Sequence, residues 1–204
     1  MKLGKWTTVA LIIGPFILWV WCIRRFLMGE LAFVDDALYY YEHIRYYIES
    51  MVQGVFPLWE PYRKVAHPNE FFLRRLGAYN PFLSLIALMF KAGFSFTISY
   101  YTYLVLYYFL GLMGFYCVAQ RIFQDRVVSL LAYWLLLFST MGTKILSSYI
   151  MLLFVPLVWF FYFIICFAQY PNRQNILGAT LSTMTLLTTY LPFYFITIFW
   201  SFLV

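Results

Sequence analysis

Charge is what this sequence lacks most. Only 11% of its 204 residues are Asp, Glu, Lys or Arg, where a soluble globular domain carries about 25%. With 64% hydrophobic residues, no soluble core could hide the apolar surface, and the composition predicts an integral membrane protein. Acid is the scarcer sign, with 8 Asp and Glu against 14 Lys and Arg, a formal net charge of +6. No basic run interleaves with aromatics as a DNA- or RNA-binding surface would. No nucleic-acid partner is expected, and the surplus is read as a marker of membrane orientation. Cysteine is sparse as well. Cys22, Cys117 and Cys166 sit in apolar stretches without CxxC spacing or a histidine neighbour, and read as small buried apolar side chains. Also missing are a P-loop, a Rossmann glycine fingerprint and a Gly-x-Ser-x-Gly elbow, so no nucleotide-binding or serine-hydrolase signature is present.

What is there is a series of long apolar runs. About 20 apolar residues cross a bilayer, and the runs predict spans near 7–23, 98–118, 127–141, 149–168 and from 176 onward. The fold class expected is an all-α polytopic helix bundle of five spans. A sixth arises if Pro192, which has no amide hydrogen to give, turns the last segment back. Lys2 and Lys5 followed by an apolar run, with no small-x-small cleavage site, predict an uncleaved signal anchor that stays as the first span. The chain ends inside an apolar segment, "IFWSFLV", which predicts the N-terminal part of a longer protein. A single membrane domain is expected, with the first span over 1–29, an extracytoplasmic loop over 30–80, and an interfacial segment plus the remaining spans over 81–204.

The short connections orient it. Lys2, Lys5, Arg121, Arg126 and Arg173 fall in one alternating set of connections and Lys144 in the other. The positive-inside rule therefore predicts a cytoplasmic N-terminus in the plasma membrane. Arg24 and Arg25 run against the rule, in a long loop where it is weak.

Taken from about Arg24 to Asn80, that loop holds seven of the eight acids: Glu30, Asp35, Asp36, Glu42, Glu49, Glu60 and Glu70. It also holds both histidines, His43 and His67, and Arg24, Arg25, Arg45, Arg63, Lys64, Arg74 and Arg75. Ala37, Tyr41, Ile44, Ile48 and Met51 recur at helical steps. Glu42, His43, Arg45, Tyr46, Glu49 and Gln53 fall on the opposite face, and Gly54 is placed to end the helix. An amphipathic helix lying on the membrane surface is predicted. Pro57, Pro61, Pro68 and Pro81 then forbid a continuous helix, and "FLSLIALMF" is too short to span. It is expected to lie at the interface or dip into the membrane.

Asp35-Asp36 opens the surface helix. A carboxylate there can cap free amides and meet the positive end of the helix dipole. That accounts for one acid better than for two, because each carries a desolvation cost near lipid. A carboxylate at the membrane face can also act as a general base or hold a divalent cation, and the cofactor stays open. Adjacent helical residues point about 100° apart, so one would face a site while the other caps. Arg63, Lys64, His67, Arg74 and Arg75 form a loose basic set suited to the phosphates of a lipid-linked donor, or to anionic headgroups. Asp35, Asp36, His43 and His67 match no metal-site spacing, and none is assigned. Lys144, Ser147 and Ser148 stand at the same predicted side, where an ordinary helix end is the simpler reading.

An N-terminal span followed by a long outer loop that opens on an acidic pair resembles the GT-C superfamily of membrane glycosyltransferases. "GVFPLWEPY", a proline, then "YNPF" resembles, more narrowly, the YfhO-like bacterial membrane proteins. The layout agrees over most of the chain, the local motif over about residues 33–82. Val65 and Ala66 stand where that family often has glycines, "EFFLRRLGA" replaces its "ANPQS", and Leu191-Pro192 stands for its Gly-His-Pro-Gln. The resemblance implies transfer of a sugar from a polyprenyl-phosphate donor to a cell-envelope acceptor, with Asp35 or Asp36 as base or metal ligand. The other reading is a non-enzymatic membrane protein, a transporter or assembly factor. Transporters usually carry ionisable groups inside their spans and internal repeats, and this sequence shows neither.

Overall fold

The computed structural model describes residues 4–28, 36–55, 59–60, 67–68, 82–139 and 150–189. Its described elements are α1 (Lys5–Cys22), α2 (Arg24–Leu27), α3 (Asp36–Val52), the two-residue strands β1 (Trp59–Glu60) and β2 (His67–Pro68), α4 (Leu83–Lys91), α5 (Phe96–Phe123), α6 (Arg126–Phe138), α7 (Ile150–Gln169) and α8 (Arg173–Thr189). Apart from one short antiparallel pairing, the described residues are helical or lie in turns. Among the described residues, three helices are long and apolar enough to cross a membrane: Lys5–Cys22, Phe96–Phe123 and Leu152–Gln169. These fall in the first, second and fourth of the five predicted spans. The third is the 13-residue α6, about 20 Å long and apolar but short. The last begins as α8, whose 17 residues include Thr180, Ser182, Thr183, Thr185, Thr188 and Thr189. Pro192 lies outside the described residues.

Two of the three long helices contain a proline, Pro15 in α1 and Pro156 in α7. Each removes an amide hydrogen and leaves the carbonyl four residues earlier without its helical donor. Those carbonyls belong to Leu11 and Leu152. The Trp134 indole N–H of α6 donates to the Leu11 oxygen at 2.9 Å, and the Tyr107 hydroxyl of α5 donates to the Leu152 oxygen at 3.5 Å. Each freed carbonyl thus faces an aromatic donor from a neighbouring helix, at full hydrogen-bond strength at Leu11 and at long range at Leu152, which suits a bilayer interior. The Tyr133 hydroxyl adds a bond to the Ile12 carbonyl at 3.1 Å, so α6 is fastened to α1 twice.

The helix directions follow from these contacts. The Trp19 ring meets the Tyr108 ring at 4.8 Å, while Ile12 meets Tyr133, seven residues into α6. Since α6 turns back from the end of α5, α1 must run antiparallel to α5, which puts Lys5 at the same end as Arg121. The α5 and α7 helices run side by side in the same direction, with Tyr107 at Leu152 and Arg121 at Gln169, 3.3 Å apart. Gly111 and Gly114 make this approach close: a Cβ on Gly111 would come within 2.6 Å of the Phe154 ring and one on Gly114 within 3.1 Å of Trp159. Trp159 closes the seam by donating to the Leu110 carbonyl at 3.1 Å.

Lys5, Arg121, Arg126 and Arg173 therefore share one end of the bundle, with Asp125 capping α6 there through bonds from the Val127 and Val128 amides at 2.7 and 3.1 Å. The other end carries α3 and Arg24. Arg24, the first residue of α2, turns back on α1, with its guanidinium over the Trp21 ring at 4.2 Å and donating to the Trp21 carbonyl at 3.0 Å. Its charge is spent on the end of α1.

Trp134→Phe should lower stability by about 1–3 kcal/mol, the cost of leaving a buried carbonyl without its donor. In a Pro15→Ala background the same change should cost distinctly less, because the substituted alanine restores a helical N–H to the Leu11 carbonyl. Unfolding in detergent of the four proteins of this cycle tests the pairing; additive costs would show that the two residues do not share the carbonyl.

Candidate functional site

The surface helix α3 is the element that would carry the acidic pair. It runs from Asp36 to Val52 and ends where Gly54 adopts φ +77°. The Val55 amide reaches the Ser50 carbonyl at 2.9 Å and the Gly54 amide the Met51 carbonyl at 3.1 Å, a left-handed cap that only glycine takes without strain. Its inner face is His43, Ile44, Tyr47 and Ile48, all buried. This shifts the predicted stripe. Met51 is 44% exposed, whereas His43, expected on the polar face, is only 5% exposed. The reason is packing: His43 precedes Ile44 by one step of about 100° and stands four residues from Tyr47, so the neighbouring elements cover both positions.

Tyr41 fastens α3 to the top of α5. Its hydroxyl shares a hydrogen bond with the Thr97 hydroxyl at 2.7 Å, and its ring packs edge-on against Phe96 and Tyr100, both at 5.2 Å. Ser95 begins α5 by accepting from the Ile98 amide at 3.3 Å. On the exposed side, Arg45 and Glu49 pair at 2.8 Å. The bond to Glu49 holds the Arg45 guanidinium above its ordinary pKa, but an exposed pair of this kind contributes only about 0.3–0.5 kcal/mol.

β1 and β2 pair antiparallel, Trp59 opposite Pro68 and Glu60 opposite His67. His67 thus stands across from Glu60 in the backbone register. For Asp36 and His67 the backbone alone is described, and Asp35, Arg63, Lys64, Arg74 and Arg75 lie outside the described residues, as do Lys144, Ser147 and Ser148.

"FLSLIALMF" is helical and lies against α5. It forms α4, which ends at Gly93 with φ +94° and folds back along α5. Phe82, just before α4, packs on Tyr107 at 5.4 Å. Tyr107 lies about 16 Å down α5 from Phe96. At this depth Phe82 joins α5, α7 and α8 in lining an apolar cavity of about 780 Å³. Its walls include Leu110, Trp159, Phe163, Leu181 and Met184, with Ser182 and Thr185 among the few polar contributors. Gly178 lets α8 approach Phe163, whose ring would lie 2.5 Å from an added Cβ.

This groove was not read from the sequence. Its one local signal is the run of small residues Gly178, Ser182 and Thr185 on a single face of α8, at steps of four and three. Family models, curated proteins and solved structures offer no match to this chain.

Tyr41→Phe keeps the ring contacts and deletes the bond to Thr97, so it should cost about 1 kcal/mol. The α3 amides should exchange hydrogen faster while those of α5 hold. Unchanged α3 exchange would mean that ring packing alone seats the helix.

Proposed function

We propose that this protein is a multi-pass glycosyltransferase of GT-C type in the plasma membrane, with its N-terminus in the cytoplasm. It would move a sugar from a polyprenyl-phosphate donor to a cell-envelope acceptor on the outer side. The observation that carries the reading is the apolar groove of about 780 Å³ between α5, α7 and α8. Its size suits a lipid chain, since ligand pockets generally measure about 300–1,000 Å³. Its wall of Leu, Met and aromatic side chains suits a prenyl chain. The α3 helix, which opens on Asp36, lies toward the opposite end of the bundle from Lys5, Arg121, Arg126 and Arg173.

In this mechanism Asp35 or Asp36 takes the proton of an acceptor hydroxyl as its oxygen attacks the anomeric carbon. The bond from that carbon to the donor phosphate breaks, the configuration inverts, and polyprenyl phosphate leaves with the electron pair. Arg63, Lys64, His67, Arg74 and Arg75 would receive the phosphate charge. A divalent cation on the acidic pair would serve the same end.

Two experiments test this reading. Envelope glycans of wild type, a deletion strain and an Asp35→Asn/Asp36→Asn strain should show the same sugar decoration lost in the deletion and the double mutant, at normal protein level. Loss in the deletion alone would reduce the pair to helix caps, and no loss in either would favour a transporter or assembly factor. For orientation, a single cysteine at Gln53 in a cysteine-free background should react with a membrane-impermeant maleimide in intact cells, and one at Gln124 should react after lysis only. The reverse pattern would invert the topology.

A further inference from the structure

The basic end of the bundle holds a second cleft, unlike the groove in chemistry. It measures about 830 Å³ and lies between the last turns of α5 and α7, with Tyr116, Gln120, Arg121, Gln124, Tyr162 and Gln169 among its lining residues. Arg121 donates to the Gln169 side-chain oxygen at 3.3 Å and approaches the Tyr162 hydroxyl and the Cys166 thiol. None of the three partners is a carboxylate. A guanidinium has five N–H groups, so these contacts leave donors to spare. The nearest acid in sequence, Asp125, is committed to the α6 amides. Arg126 lies near enough to act on Tyr116 electrostatically. The Gln120 side-chain oxygen is buried without a partner, and a carboxamide can present its NH2 in that place as readily as its oxygen.

Two helix C-termini, those of α5 and α7, also face this end. Each contributes about half a negative charge that fades within a turn. Arg121 is the charged side chain among the residues that line the cleft, and it carries a full positive charge there. We propose that this cleft binds a phosphate anion, with Arg121 as its principal donor. At a bilayer face the phosphate at highest local concentration belongs to an anionic lipid headgroup, and free phosphate shares the same chemistry. The site is separate from the groove and does not rest on the transferase reading.

The test uses the full chain in lipid nanodiscs and native mass spectrometry. Phosphatidylglycerol, phosphatidylcholine and inorganic phosphate are the probes. Wild type should retain phosphatidylglycerol in preference to phosphatidylcholine. Arg121→Gln should weaken that retention about ten-fold. Gln169→Glu should weaken it as much while keeping the arginine, because the new carboxylate neutralises Arg121 in place; this variant decides the matter if Arg121→Gln folds poorly. Arg173→Gln, at the same end but outside the cleft lining, should bind as wild type does. Arg121-dependent binding of inorganic phosphate without lipid preference would support the phosphate site and assign it a soluble ligand. Equal binding of both lipids and of phosphate by wild type, Arg121→Gln and Gln169→Glu would overturn the proposal.

Discussion

The packing of this protein turns on two backbone carbonyls. Pro15 and Pro156 break the hydrogen-bond ladders of α1 and α7, and a bilayer has no water to repair them. Trp134 and Tyr107 reach across from α6 and α5 to the freed oxygens. Each bond ties two helices at a definite height, because the carbonyl sits four residues before its proline and nowhere else. The α1–α6 and α5–α7 registers are therefore chosen by polar pairing. Apolar contact alone discriminates little here, since lipid tails are as apolar as leucine.

α5 is the element on which the others are arranged. Its Gly111 and Gly114 admit the α7 rings, its Phe96 and Tyr100 receive Tyr41, and Tyr108 receives Trp19. Tyr107 does two things at once: it answers the Leu152 carbonyl and lines the apolar groove. The Leu152 contact and the groove share a wall, so the cavity shape is tied to the packing of α7 on α5.

The two ends of the bundle differ in kind. One gathers Lys5, Arg121, Arg126 and Arg173 around helix termini and a polar cleft. The other carries α3, whose visible charges are partly spent on each other, as in Arg45 and Glu49, or on a helix end, as in Arg24. Under the function proposed above, an apolar groove between two polar faces would keep the lipid chain of the substrate in the apolar layer while its phosphate meets water and charge.

What the sequence by itself determined is what each segment does alone. Composition assigned the chain to membrane, periodicity and Gly54 delimited α3, and the length of "FLSLIALMF" kept it from spanning. These follow from local rules of helix geometry, capping and span length. The tertiary structure decided the rest. It buried His43 and left Met51 exposed, it selected Trp134 from seven tryptophans to serve a carbonyl 123 residues away, and it assembled the groove from four separate segments. Helical spacing identifies which residues share a face, but which face meets which neighbour, and at what height, depends on pairings between distant residues that no local pattern encodes.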